Sequence, residues 1–472
     1  MLHLELGARM LRTGKQKFSL SRMHVRLSRS HPKNAIEWRT NPNSLKDPAM
    51  ERRIFLMSSA GAALTSSALA ASKSPNDTVR VAVLGVNGRG NSHIDGYSKL
   101  KNVEVVTLVD PDAAVGRKVA GQLSSRTGRK VDTVQDLRRV LDDKSIDVIS
   151  VATPNHWHAL ATVWGCQAGK DVYVEKPGCH NIFEGRKMIE AAAKYDRVVQ
   201  HGVQLRSSAA LQEGVQKLRE GVIGKVYMSR AIIYRWRRSI GHNPVIDVPP
   251  DVDYNIWQGP AQEEPFSRRL VHYNWHYSWA HGNGEIGNQG VHETDMSLWG
   301  LDEKMPRHAQ AMGGKFLWDD DKQTPEVLAS TFLFDSGKYL EVSVRHWCTN
   351  DEYGVGVGNV FYGSEGFMTI HGYSKYATFL GQKREPGPTR DEGGDHYGNF
   401  IDAVRTRDKS KQNGPVETAH YASAIAHLGN ISYRLGRRLE FDPKTEKFVG
   451  DKEADTHLAR KYRAPFIVPE KV

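Results

Sequence analysis

Val79-Arg80-Val81-Ala82-Val83-Leu84-Gly85-Val86-Asn87-Gly88-Arg89-Gly90 is the stretch whose reading decides the fold. A short β-branched run ends in a glycine loop, and a patterned helix follows over residues 89–100. Gly85 makes the tight strand-to-helix turn, and Gly90 lets helix and strand pack closely. The middle position, where backbone must approach a pyrophosphate, holds Asn87, with Gly88 one residue later. Such a loop also serves as a plain tight turn. The strand before it, the helix after it and an acid 20 residues beyond Gly90 favour dinucleotide binding.

That acid is Asp110, which closes the apolar strand 103–109. A carboxylate there accepts from an adenosine 2′-hydroxyl and repels a 2′-phosphate, so NAD is the expected cofactor. Arg89, within reach of a phosphate, keeps NADP as the alternative. Working outward, helices are expected over 112–124, 136–141, 156–168 and 183–195, and strands over 147–152, 171–174 and 198–202. Strands alternating with helices predict a parallel sheet in an α/β domain.

Two later motifs end strands of that sheet: Ala152-Thr153-Pro154-Asn155-His156-Trp157-His158 and Val174-Glu175-Lys176-Pro177. Open α/β sheets bind ligands at such carboxyl ends. Together with the glycine loop, and in this order, they resemble the glucose–fructose oxidoreductase / inositol dehydrogenase (Gfo/Idh/MocA) family over about residues 78–440. The resemblance implies a Rossmann domain followed by an α+β domain with a large, open, mostly antiparallel sheet. The sequence after Gln204 agrees, with strands expected over 226–237, 307–313, 327–334, 339–345, 359–362 and 367–371, and late helices over 396–406 and 417–435. The exposed face of an open sheet needs cover, which predicts a homodimer or homotetramer paired through it.

The resemblance also implies roles. Lys176 matches the active-site lysine. A flexible ammonium beside a nicotinamide can hydrogen-bond the reacting oxygen, and burial lowers its pKa. Glu175 matches the residue that holds the nicotinamide ribose. With Gly85, Asn87, Gly88, Arg89, Gly90 and Asp110, the residues Thr153, Pro154, Asn155, His158, Glu175, Lys176 and Gln204 form the expected cofactor set. The second catalytic segment is Gly282-Asn283-Gly284-Glu285-Ile286-Gly287-Asn288-Gln289-Gly290-Val291-His292. His292 matches the family's histidine, and one helical turn separates it from Asn288. Many relatives carry Asp at that second position. Asn cannot take a proton, which leaves proton transfer to Lys176 and His292, with Asn288 positioning a hydroxyl. His292 also reads as a buried structural histidine. Trp236 and Trp275, in an aromatic stretch suited to sugar faces, and Arg206 complete the substrate set with Lys176, Asn288 and His292. Histidine pairs such as His156/His158 and His276/His281 lack a zinc-protease spacing, so no metal is expected.

The chain has 472 residues and a formal charge of +11. Residues 1–49 hold ten Lys/Arg against three acids, so the basic excess sits mostly in that arm, and no nucleic-acid partner is expected. Three cysteines give no complete disulfide framework, and no run of apolar residues suffices for a membrane span. Met50-Glu51-Arg52-Arg53-Ile54-Phe55-Leu56 and the small-residue stretch to Ala71 resemble a bacterial twin-arginine signal. Translation is then expected to start at Met50, with residues 1–49 an over-called or disordered segment and cleavage near Ala70–Ala71. The domains expected are a signal over 50–71, a Rossmann domain over 72–203 and a substrate and oligomerisation domain over 204–472. The reading is a periplasmic, NAD-dependent oxidoreductase of a sugar, glycoside or cyclic polyol, holding its cofactor tightly. The alternatives are a glycosidase using NAD in a redox-neutral cycle and a non-catalytic NAD-binding sensor.

Overall fold

The computed structural model describes residues 78–267, 271–348 and 350–472. The expected signal and start site lie outside the described residues. Strands β1 (Val79–Leu84), β2 (Val103–Val109), β3 (Asp132–Val134), β4 (Val148–Val151), β5 (Asp171–Glu175) and β6 (Val199–Gly202) form a parallel sheet ordered β3-β2-β1-β4-β5-β6. Leu84 pairs with both Val109 and Val151, so the carboxyl ends of β1, β2 and β4 are level where the strand order reverses. Val81, Ala82, Val83, Val148 and Ile149 are fully buried. Helices cover both faces of this sheet, so its strands read as continuous apolar runs. Local chemistry sets the helix starts. The Asp112 carboxylate accepts from the amides of Ala114 and Val115 at the head of helix Ala113–Thr127, and Asn181 caps helix Ile182–Lys194 through the Glu184 amide.

The second sheet has ten strands in the order β14-β13-β12-β11-β7-β10-β9-β8-β15-β16. These are β7 (Val226–Arg235), β8 (His308–Gly314), β9 (Val327–Leu333), β10 (Tyr339–His346), β11 (Val357–Gly363), β12 (Gly366–His371), β13 (Lys375–Leu380), β14 (Glu385–Asp391), β15 (Leu439–Asp442) and β16 (Lys447–Phe448). Only β7 and β10 run parallel; the other pairs are antiparallel. The α/β class with a mostly antiparallel second sheet is therefore as the sequence predicts. One face packs Ala231 and Ile233 against helices Gly290–Leu301 and Val416–Leu435. On the other face Ile232, Tyr234, Val355 and Val360 carry a thinner apolar layer, and Tyr353 remains 46% exposed.

The expected boundary at residues 203/204 separates two sheets but not two cores. Helix His396–Thr406 puts Phe400 and Ile401 into the same apolar cluster as Val81 and Val83. Phe466 and Val468 join the cluster around Trp157 and Val172. No helix among the described residues is long and apolar enough to cross a membrane.

Candidate functional site

A cleft of about 430 Å³ opens at the carboxyl ends of the first sheet. One wall comes from strand ends: Gly85, Asn87, Gly88, Arg89, Asp110, Thr153, Pro154, Asn155, His158, Glu175 and Lys176. The other comes from Arg235, Arg237, Trp257, His272, Tyr273, Trp275, His276 and Asn288.

The glycine loop has the form a pyrophosphate needs. Gly85 sits at φ +80°, and a side chain on Gly90 would meet the Gly85 carbonyl at 2.2 Å. A side chain built on Gly88 would meet nothing within 4 Å, so the backbone borders open space there. Helix Gly90–Ser98 has no side-chain cap, and a helix start of this kind favours an anion, although the Asn91 and Ser92 amides also donate to the Gly88 and Arg89 carbonyls (3.0 and 2.9 Å). Asp110 accepts from the amides of Val86 (2.9 Å) and Asp112 (3.0 Å), one on each oxygen. Each oxygen keeps a lone pair for a ribose hydroxyl. Burial pushes the Asp110 carboxyl up, and these two amides oppose the shift.

Glu175 is nearly saturated. Its Oε1 accepts from Arg89 Nε (2.8 Å) and Gln204 Nε2 (3.0 Å) and lies 3.1 Å from His93 Nε2. Burial alone would raise this carboxyl, but Arg89 and His93 more than offset it and hold it well below the usual range. Oε2 meets only the Lys176 amide, at 3.3 Å, and keeps capacity for a hydroxyl. The expected phosphate contact of Arg89 thus meets a competitor, because its Nε is taken by Glu175. Gln204 stands behind Glu175 and is not part of the cleft wall. The His158 ring nitrogens face the carbonyls of Thr153 and Pro177, which pins two strand ends together. Asn155 donates to Asn283 Oδ1 (3.1 Å), tying the wall to the second half. The Lys176–Pro177 bond is cis.

The two walls meet at Lys176. Its Nζ donates to the Asn288 carbonyl (3.1 Å) and to Asn288 Oδ1 (2.9 Å). Burial pulls the Lys176 ammonium down, against the opposing pull of Glu175 and Glu285. A neutral amine has two N–H groups and one lone pair. With both N–H groups on Asn288, the lone pair is left to accept a proton. His292 follows on helix Gly290–Leu301, 4% exposed, with its ring edge-on to Tyr373 (centroids 5.0 Å apart). It is not part of the cleft wall, and its buried Nδ1 has no partner. Burial, then the Lys176 charge, hold it well below the usual imidazole range. Its neighbour Glu293 is buried, with Oε2 unpaired, and burial raises its carboxyl to about 8.

Two expected substrate residues lie elsewhere. Arg206 Nε donates to both oxygens of buried Asp295 (3.0 and 2.8 Å), and its guanidinium lies over Trp299, so it braces helix Gly290–Leu301. Trp236 is 58% exposed and packs edge-on against Trp347. Successive residues of an extended chain face opposite sides, and it is Arg235 and Arg237 that reach the cleft. Trp275 does line the cleft, its indole N–H held by the His272 carbonyl.

The sequence reading missed four groups on this wall. Arg237 makes a two-pronged pair with buried Glu285 (2.9 and 2.7 Å). Arg235 donates to Gln289, which in turn donates to Glu293 Oε1 (2.9 Å). His272 lies 3.1 Å from Asp112 Oδ2. His276 stacks on Trp275 at 3.6 Å, with Nδ1 against the Tyr273 carbonyl, and burial takes its imidazole down to about 3. The alternation Arg235-Trp236-Arg237 at a strand end was the available signal. Among the described residues no group of three or more His, Cys, Asp or Glu is arranged to hold a metal.

Comparison with known proteins matches this fold. Residues 79–203 match the model of the Gfo/Idh/MocA oxidoreductase family's NAD-binding Rossmann fold, and residues 211–314 and 385–468 match that of its C-terminal α/β domain. A protein of Shewanella sp. (strain W3-18-1) named glycosyl hydrolase family 109 protein is 26% identical over 174 residues, 35% of this chain. The match spans 38% of that relative's length. The WlbA dehydrogenase of Bordetella pertussis, solved with NADH and UDP-GlcNAcA, superposes with a TM-score of 0.58 at 17% identity, covering 77% of this chain and 99% of its own. The aldose–aldose oxidoreductase of Caulobacter crescentus, complexed with glycerol, gives 0.59 at 16% identity, covering 77% and 100%. With both halves matched in order, the chain belongs to the Gfo/Idh/MocA oxidoreductase family.

Proposed function

We propose that the protein is an exported oxidoreductase that moves hydride between a tightly held nicotinamide cofactor and a sugar, glycoside or cyclic polyol. The observation that carries this reading is the clamp of Lys176 Nζ on Asn288 at the seam between the two walls. The glycine loop, the uncapped helix Gly90–Ser98, Asp110 and Glu175 would hold the cofactor. The cofactor supplies the hydride donor or acceptor. Lys176 takes the proton of the substrate hydroxyl at Nζ during oxidation and returns it during reduction. Asn288 aims the amine, and His292 is the second group on the proton path. Trp275 and His276 offer a flat aromatic surface, and Arg235 and Arg237 offer donors to hydroxyl oxygens.

Asp110 supports NAD over NADP, because a carboxylate closing β2 would repel a 2′-phosphate. The dehydrogenase and oxidoreductase relatives, with their NADH and sugar-nucleotide or polyol ligands, support the substrate class. Export rests on Arg52-Arg53 and the segment after them. A homodimer or homotetramer rests on the partly exposed face of the second sheet around Tyr353. The second reading, a redox-neutral glycosidase, is favoured by the likeness to the glycosyl hydrolase family 109 protein.

A panel of free sugars, polyols and chromogenic glycosides separates the two readings, with cofactor absorbance and products followed together. Matched cofactor reduction and substrate oxidation is the expected result. Aglycone release with no net change in cofactor supports the glycosidase. Neither signal on a cofactor-loaded protein sinks both.

A further inference from the structure

A second cavity, of about 350 Å³, shares no wall residue with the cleft. It is bounded by the continuations of the two segments that meet at Lys176: His180 and Asn181 on one, Asn283 on the other. Helix Val416–Leu435 presents His427, Asn430, Ile431 and Arg434 to it, the spacing of a single helix face. The C-terminal segment adds Arg460 and Lys461.

Among the described residues no carboxylate lines this cavity. Glu184, from behind, pairs with Arg460 at 3.0 Å and neutralises that one guanidinium. Among the described residues no acid pairs with Arg434 or Lys461, and burial without a counter-charge pulls Arg434 below its usual value. The Arg434 guanidinium lies 5.2 Å from the Trp279 ring centroid. A guanidinium on an aromatic face keeps its N–H edge free for a planar or tetrahedral oxyanion. Among the described residues, buried polar atoms of the wall residues have no partner: His180 Nε2, Arg460 Nε and Asn430 Oδ1. Asn430 is only 5% exposed. A polar wall with surplus positive charge and unmatched hydrogen-bonding groups suits neither an apolar ligand nor a metal cation.

We propose that this cavity is a second binding site, separate from the nucleotide cleft, for a small molecule bearing an oxyanion. Arg434 and Lys461 supply the charge, Arg460 Nε a further donor, and Asn430 Oδ1 an acceptor for a hydroxyl of the same molecule. Asn283 joins the two cavities. It accepts from Asn155 on the cleft wall, its Nδ2 donates to the His180 carbonyl, and its own carbonyl accepts from Asn430.

The test is calorimetric titration of the full chain, saturated with NAD, against inorganic phosphate and, separately, against citrate. Saturation removes the glycine loop as a rival anion site. One site per chain for at least one probe is expected. Affinity should fall with added salt and drop by about tenfold or more in Arg434→Met/Lys461→Met, through loss of two charged contacts. Unchanged NAD affinity shows that the double variant is folded; should it fail to fold, Lys461→Met alone carries the comparison. Phosphate against citrate distinguishes a phosphate ligand from a carboxylate. The proposal is overturned if neither probe binds, if binding occurs only without NAD, or if the variant binds as tightly as the parent chain. A protein that binds no NAD overturns the nucleotide reading instead, and the variant comparison then runs on the chain as purified.

Discussion

The wall of strand ends and the wall formed by residues 235–288 solve opposite problems. On the first, Asp110, Glu175 and His158 are already held by amides, carbonyls and neighbouring side chains before any ligand arrives. On and behind the second, Arg235 Nε, His292 Nδ1 and Glu293 Oε2 are buried without partners. Unpaired buried groups cost roughly 1–3 kcal/mol each, and such costs concentrate where function needs them. The difference teaches that the first wall, Thr153 Oγ1 excepted, is built for fixed geometry, while the second, beside held groups such as Arg237, keeps some in reserve for a partner. Lys176 belongs to the first wall by position and to the second by its hydrogen bonds.

The sharpest way to break this division is Lys176→Met. Turnover should fall ~10²–10⁴-fold, the usual worth of a positioned acid–base group, with cofactor affinity nearly unchanged. Parallel loss of cofactor binding in a fluorescence titration would place Lys176 wholly on the first wall.

Glu293 tests the reserve on the second. Its carboxyl is raised by burial from 4.5 to about 8, so the folded chain binds a proton that the unfolded chain has released. Stability from this group is therefore full below about pH 4.5 and is lost as pH rises towards about 8, by on the order of 3–5 kcal/mol. Thermal melts of Glu293→Gln across this window should show a flatter pH dependence than the parent. Equal slopes would refute a protonated Glu293.

The smallest effect belongs to the first wall. Asp110→Ser should weaken NAD binding by about 1.5–3 kcal/mol, the worth of a charge-assisted hydrogen bond, and narrow discrimination against NADP. A parent chain that already prefers NADP in calorimetry would show that the pre-paired carboxylate does not select the ribose.

Legibility in the sequence follows the same division. Strand-end residues sit beside their own secondary-structure signal: Gly85 after β1, Asp110 after β2, Glu175 at the end of β5. The parallel strands stood out by their β-branched apolar residues despite Arg80, Glu104, Gln200 and His201, except β3, which is three residues long and largely exposed. In the second half the apolar alternation gave β7 to β12. It missed β13, β15, the exposed edge strand β14 with Pro386 and Pro388, and the two-residue β16. Site residues there depend on pairings across long separations. Arg206 is paired with Asp295 at a separation of 89 residues, which no local pattern reveals. His276 was visible as a histidine, but its stacking on Trp275 and its place in the wall come from the loop's path alone.

The return of the chain to its first sheet has a consequence for synthesis. Domains generally fold as units from the N-terminus as they leave the ribosome. Here the cluster around Val81 and Val83 waits for Phe400 and Ile401, and the cluster around Trp157 waits for Phe466 and Val468. A nascent chain that has emitted all of β1–β6 still has gaps in both layers against the sheet. Both apolar layers behind the cleft are therefore complete only once Val468 has emerged.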